Sequence, residues 1–516
     1  MSPPPSTLEP AAEPSAPEPA PRPPSSSPWS VLRIRHYRNV WIGSIGSNIG
    51  GWMEGTGIRW IVGSTTGSAL MLGYLSTAQT APMLLLGLIG GVAADRFNRK
   101  KLLLITQFTM MLIAAFLAVS SYFNFFNLNV AWVLIGVSVG QGIAVAFNIP
   151  AWQVLTPRLV PRHQLTHAIM LNGLQFNFGR VVGPALTGPI LIASPTYGAT
   201  ILFLVNTLSF AGVLIAIAGT PDAPPPPRSP DSLWEQTSEA LSFVFHNRGP
   251  RAVFLAMTIF AMLGAPLLTL MPLVVTKVYQ LHADTFSTLM AVFGAGAVAG
   301  VLAIRYIPPW YPKHHFIPFA ITAGGVSILA FALSPTFLLG SISTFFAGAF
   351  WLWSFNSTFA AMQMLVHDAI RGRVMAVCNT AVFGITPVGG LFAGLVGMLA
   401  TGDGESARGV QIGIATGAAL LIGAGLIMLT WRTPEVDGLE PGDPAYTRDP
   451  SLLHGLTGAR HRYLSSGDRC IECGHSLRDI PASQTVVTCP ECGHVNELRN
   501  LHALHVSSEQ GAVPDA

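Results

Sequence analysis

The sequence predicts an all-α membrane protein, with twelve transmembrane helices in two six-helix halves and a small cysteine-rich module at the C-terminus. Three observations carry this expectation. Hydrophobic residues make up 50% and charged residues 10% of the 516 residues, and the mean hydropathy is +0.49. So apolar a chain could not keep a soluble surface, whereas in a bilayer each apolar run of about 20 residues spans the hydrocarbon as a helix. Apolar runs bounded by Pro, Gly or charge recur about twelve times, the number set by the usual span length. Four of the five cysteines crowd into the last fifty residues, apart from the apolar part of the chain.

Residues 1–28 are rich in Pro, Ser and Ala, with neither the basic start nor the apolar segment of a signal peptide, and are expected to be disordered. The N-terminal half, 29–219, carries spans near 39–62, 69–93, 102–124, 130–150, 167–191 and 198–219. A central loop, 220–250, follows with PDAPPPPRSPD and then SLWEQTSEALSFVF. Leu233, Ala240, Leu241, Val244 and Phe245 recur there at near-helical spacing, which predicts a helix lying on the membrane surface. The C-terminal half, 251–433, carries spans near 251–275, 287–306, 316–336, 338–364, 374–400 and 409–431. A linker (434–469), the cysteine-rich module (470–495) and a disordered tail (496–516) complete the chain.

Basic residues sort the connections. Arg33, Arg35 and Arg38 precede the first span, Arg96 to Lys101 follow the second, Arg158 and Arg162 follow the fourth, and Arg248 and Arg251 precede the seventh. Arg305, Lys313, Arg371, Arg373 and Arg432 continue the series, while the alternate loops GSTTGSA, NFFNLN, ASPTYGA and LSPT carry no basic residue, and only Lys277 and Arg408 stray to that side. The positive-inside rule therefore places both termini in the cytoplasm of a multi-pass plasma-membrane protein, the inner membrane of a bacterium. The halves also echo one another. Phe147–Asn148, Leu159–Val160 and GPALTG from Gly183 return as Phe355–Asn356, Leu365–Val366 and GGLFAG from Gly389, an offset of 206 to 208 residues (355 − 147 = 208; 389 − 183 = 206). Internal repeats of this kind build many transporter folds.

Between the second and third spans lies GVAADRFNRK, Gly91 to Lys100. As a bare charge run it orients a helix pair. Its order and place also resemble the signature loop of the major facilitator superfamily, with Asn98 where that loop has glycine, which asks Asn to take the turn conformation. The resemblance implies that Asp95, Arg96, Arg99 and Lys100 form a charge latch holding the cytoplasmic helix ends together while the cavity faces outward. The equivalent loop of the second half, IRYIPPWYPKHH, lacks an acidic residue, so one latch is expected.

Gly179, Gly183, Pro184 and Gly188 in GRVVGPALTG form a second motif. Glycines four apart admit a neighbouring helix and Pro184 bends the helix, which makes a packing seam. The pattern also resembles the fifth-helix motif of drug and proton antiporters, with Thr187-Gly188 where that motif has two glycines. Together with QVLTPRLVPRHQLTHAIMLNGLQFNFGRVVGP and LVHDAIRGRVMAV, the stretch from Trp29 to Thr433 resembles the branch of enterobactin exporters and macrolide-efflux permeases.

Ionisable residues within spans are rare, because each costs about 2.5–3.5 kcal/mol at the bilayer centre. Glu54 is expected somewhat past the midplane, Arg59 a turn and a half further out, and Arg180 near the middle of the fifth span. Glu54 either exchanges protons or closes a buried pair between helices. Arg180 either lines the cavity, holding an anionic substrate group or the Glu54 carboxylate, or has a structural role. Asn172, Gln175, Gly179 and Gly183 recur at intervals of three and four and so share one face. That polar stripe is expected to face the central cavity, with interhelical hydrogen bonding as the alternative.

The tail reads CIECGHSLRDIPASQTVVTCPECGH, two C-x2-C pairs separated by fifteen residues. Cys470, Cys473, Cys489 and Cys492 can close a tetrahedral structural Zn2+ site, a zinc ribbon; disulfides are the rival, disfavoured in a reducing cytoplasm. Cys378, alone in an apolar run, reads as a small core residue.

No nucleophile and base pair and no phosphate-binding G-x-x-x-x-G-K-[ST] loop stands in the spans, so neither an enzyme nor ATP drive is expected. The resulting expectation is a monomeric secondary active transporter in lipid, exporting a small amphipathic molecule of drug or siderophore type in exchange for protons, with no nucleic-acid partner. A transporter-shaped sensor or scaffold, its ribbon meeting a cytoplasmic protein partner, is the alternative.

Overall fold

The computed structural model describes residues 28–125, 130–161, 164–221, 233–304, 306–307, 313–366, 368–402, 406–431, 486–488 and 495–497. The zinc-ribbon cysteines and residues 1–27 lie outside these. A short 3-10 helix, Pro28–Arg33, opens the described chain. The helices then run α1 Arg35–Thr66, α2 Ala69–Arg96, α3 Arg99–Tyr122, α4 Val130–Leu159, α5 Leu165–Ala193, α6 Gly198–Ala218, α7 Leu233–His246, α8 Arg248–Leu273, α9 Ala283–Ile304, α10 Lys313–Leu333, α11 Phe337–Leu365, α12 Asp368–Thr401 and α13 Ala407–Leu429.

Among the described residues, ten of these helices are long and apolar enough to cross a membrane. The long helices outside that ten are α1 and α5, of 32 and 29 residues. Their windows are diluted by the groups that draw interest here: Glu54 and Arg59 in α1, and Asn172, Gln175, Asn177 and Arg180 in α5.

Two groups pack separately, α1 against α5 and α6 in the first, and α9 and α10 against α11 with α8 and α13 against α12 in the second. The groups meet along two equivalent seams. Helix α2 lies on α12, and α5 lies on α9. The second helix of each group thus meets the fifth helix of the other, the exchange expected of a repeated unit. The seams are tightest toward the end bearing the α1–α2 turn, where Gly73 abuts Leu391, Gly394 abuts Ala69, Gly188 abuts Ser287 and Gly63 abuts Pro272. Toward the other end a Cβ at Gly173 of α5 or Gly372 of α12 would meet nothing within 4 Å.

One expectation needs correction. Asn98 does not take a left-handed turn: its φ is −61°, and its side chain caps α3 by accepting from the amides of Lys100 at 3.0 Å and Lys101 at 3.2 Å. A helix N-cap needs extended backbone and a short acceptor, and Asn supplies both where glycine supplies only the first. Helix α7 packs on the second group, with Ala240 and Val244 fully buried and Glu239 ion-paired to Arg373 of α12 at 2.5 Å.

A strand pair, β1 Val486–Thr488 and β2 Val495–Glu497, runs antiparallel with Val487 opposite Asn496.

Candidate functional site: charged groups between the helices

Glu54 is the hub of the first group. Its helix faces α4, α5 and α6, and only 1% of the residue is exposed. Oε1 accepts from Gln141 Nε2 of α4 at 2.5 Å, and Oε2 accepts from Asn206 Nδ2 of α6 at 2.8 Å. Asn206 Oδ1 in turn accepts from the Ser209 hydroxyl at 3.2 Å. Gly50, one turn before Glu54, makes this possible: a Cβ there would sit 2.6 Å from Asn206 Oδ1. Both carboxylate oxygens are satisfied by neutral amides, and no cation pairs with Glu54 among the described residues. The Glu54–Arg180 pairing that the sequence left open is therefore not formed.

Arg59 donates from Nη2 to Gln79 Oε1 of α2 at 3.2 Å. Arg180 makes no hydrogen bond among the described residues. Its Nε is buried without an acceptor, and its guanidinium carbon lies 4.9 Å from the ring centroid of Phe293 in α9 and 5.7 Å from that of Trp52 in α1. The aromatic faces supply partial negative charge, weaker than a carboxylate would. Arg180 thus sits where α1 and α5 of the first group meet α9 of the second.

The polar stripe on α5 points elsewhere than expected. Gly179 and Gly183 face α1, where a Cβ would come within 2.8 Å of Asn48 Cβ and 2.6 Å of Trp52 Cβ respectively. Asn172 donates to Thr156 Oγ1 of α4 at 2.9 Å and accepts from the Tyr37 hydroxyl at 3.1 Å. Gln175 is 5% exposed, with an unpartnered Oε1. Asn172, Gly179 and Gly183 join α5 to α1 and α4, in the manner of the interhelical alternative, while Gln175 has no hydrogen-bond partner for its Oε1 among the described residues. Gly188 lies further along α5, on α9, with Pro184 between the two contacts.

At the α2–α3 turn, Asp95 and Arg96 occupy the last turn of α2, and Arg99 and Lys100 open α3. Arg99 is 6% exposed, and Lys100 Nζ donates to the Thr220 carbonyl beyond α6 at 2.6 Å. The turn is tied to the end of the first group. Residues the sequence reading missed are Gln79, Gln141 and Asn206, whose only signal was a polar amide within an apolar run.

An all-helical fold of two packed groups, with ten helices among the described residues long and apolar enough to cross a bilayer and charged side chains sunk among them, is the architecture of a multi-pass membrane protein. The chain belongs to the transmembrane secretion effector family of the major facilitator superfamily, whose profile matches residues 26–454. It is similar to the staphyloferrin A transporter of Staphylococcus aureus, 24% identical over 66% of this chain and 85% of the relative. It is likewise similar to macrolide efflux protein A of Streptococcus pyogenes, 24% identical over 70% and 90%, and to an enterobactin exporter of Citrobacter koseri, 24% identical over 61% and 71%. In fold it resembles a bacterial homolog of the human lysosomal transporter Spinster in an inward-facing conformation, with a TM-score of 0.57, 16% identity and coverage of 77% and 95%. A nucleoside transporter aligns with a TM-score of 0.55 at 17% identity over 77% and 100%. The protein is a lipid-embedded transporter with a small-molecule substrate, not an enzyme.

Proposed function

We propose that this protein exports a small amphipathic molecule across a bacterial inner membrane in exchange for protons, by alternating access, with Glu54 as the proton site. The observation that carries the reading is the Glu54 carboxylate held between two neutral amides from α4 and α6. An ion-paired carboxylate must break its pair to take up a proton, whereas one held by amides can gain and lose a proton without leaving an opposite charge exposed. Three helices meet at this group, so its charge state can bear on how they pack. The relatives named as efflux proteins and a siderophore exporter support the direction of transport.

In this reading α1 and α5 join the ten apolar helices as spans, giving twelve, with both termini cytoplasmic by the distribution of Arg and Lys. The C-terminal segment folds as a ribbon. The paired strands β1 and β2 flank the second C-x2-C, which suits a knuckle in which Cys489 and Cys492, joined by Cys470 and Cys473, supply four thiolates to one structural zinc. Such an ion would crosslink two turns too small to fold on their own core.

The test is reconstitution in proteoliposomes with an imposed proton gradient. Glu54→Gln should keep substrate binding and downhill exchange but lose concentrative transport. A variant that still accumulates substrate against its gradient removes Glu54 from the coupling.

A further inference from the structure

The guanidinium groups of Arg59 and Arg180 and the carboxylate of Glu54 stand inside the helices of the first group, and the carboxylate has its own partners. Glu54 spends both oxygens on Gln141 and Asn206. Arg59 has a neutral acceptor, Gln79, and Arg180 has only the faces of Trp52 and Phe293. Neither arginine has an anionic partner among the described residues. A guanidinium holds five donors in a planar fork and stays charged, so inside a membrane protein it calls for oxygen acceptors, and a carboxylate fits it with two parallel hydrogen bonds.

Free room lies beside these groups. Trp52, Gly55 and Arg59 succeed one another at intervals of three and four and so share a face of α1. Near that face Gly51 has nothing within 4 Å of where a Cβ would stand, and Gly55 has only the Arg59 Nη1 at 3.8 Å. Seven residues separate Trp52 from Arg59, about 10 Å along the helix. Arg180 approaches from α5 at the Trp52 end, so a guanidinium stands at each end of this strip and aromatic rings line one of them. Both arginines remain partly exposed.

We infer that the exported molecule is an organic anion, a carboxylate-bearing compound with an aromatic or apolar body, whose acid group is held by Arg180 with Arg59 as the second positive contact. The inference rests on the transporter reading above and narrows its substrate class. It also accounts for Arg180 having no acceptor among the described residues: the acid group that arrives with the cargo supplies one. The aromatic rings around it receive the body of the same molecule.

The experiment uses full-length protein in phosphatidylcholine nanodiscs, which contain no anionic lipid. Quenching of tryptophan fluorescence is titrated with three probes sharing one ring system: 2-naphthoate, 2-naphthamide and 2-naphthylmethylammonium. Naphthoate should bind at least about tenfold tighter than the amide, the loss expected when one member of a desolvated charge pair is missing. Arg180→Gln should erase that preference and Arg59→Gln should reduce it. Arg180→Lys, which keeps the charge and loses the fork, should fall between, and this guards against variants that merely misfold.

Equal affinity for naphthoate and naphthamide, preference for the ammonium, no binding of any probe at millimolar concentration, or a naphthoate preference untouched by Arg180→Gln would each overturn the inference. Competition by added phosphatidylglycerol that abolishes naphthoate binding would assign the guanidiniums to a lipid headgroup and also overturn it. Gradient-driven export by the same protein in sealed phosphatidylcholine proteoliposomes separates the two readings: export of neutral or cationic cargo alone leaves a transporter standing with the wrong substrate class.

Discussion

Asp95 and Asn98 stand three residues apart at the α2–α3 turn and act on different things. Asn98 caps α3 through the Lys100 and Lys101 amides, so its loss should cost about 1 kcal/mol of local stability, as for other N-caps. Asp95 is proposed as the latch, with Arg96, Arg99 and Lys100 as the positive side. If it acts so, Asp95→Asn should insert with normal topology and abundance, yet shift the inward/outward ratio roughly 5- to 150-fold, the range of typical coupling energies. Cysteine-accessibility labelling at the two ends reads that shift, and equal labelling with equal transport would reduce the cluster to an orientation signal. Glu54 could be singled out from the sequence because a lone acid in an apolar run is conspicuous. Its partners could not, because Gln141 and Asn206 lie 87 and 152 residues away and nothing local announces which helices meet.

Helix α5 shows what periodicity can and cannot tell. Spacing of three and four put Asn172, Gln175, Gly179 and Gly183 on one face, and the structure keeps them together. Spacing does not say which neighbour that face meets, and here it is α1 rather than the open centre. The seam is made of backbone approaching backbone: a Cβ on Gly183 would stand 2.8 Å from the Ile49 carbonyl oxygen. Gly183→Val should therefore destabilise the protein by about 1–3 kcal/mol, as overpacking does. Gly173→Val, on the open side of the same helix, should be nearly silent. Melting temperatures of the two variants in one detergent compare them directly, and similar values would mean that α5 does not depend on close contact with α1. Asn98 was misread for a related reason: glycine suggested a left-handed turn, while the start of α3 asked for a cap.

At the scale of the whole molecule the sequence was most informative, because span length, alternating basic loops and an offset of about two hundred residues are global features. They anticipate the repeated unit, while the α2–α12 and α5–α9 seams appear only in the structure. The proposed ribbon lies in the sequence beyond the last helix, α13. Purified protein should carry about one zinc per chain, and Cys473→Ser should remove it. Elemental analysis after purification without chelators measures this, and a stoichiometry near zero would exclude the ribbon. Export should continue in the Cys473→Ser protein, since the charged groups between the helices lie in 35–218.

Helices α1 and α5 differ from their neighbours in being too polar to qualify as membrane spans by hydropathy. That has a consequence for how the protein is made. An insertion machine that sorts segments by hydropathy would release α2 and α3 into lipid promptly, yet hold α1 back until something masks Glu54 and Arg59. The amides that mask Glu54 arrive on α4 and α6, 87 and 152 residues later. On that ordering the first helix should settle in lipid only after α4, and in full only after α6, so the partners of one buried carboxylate would set the order of biogenesis.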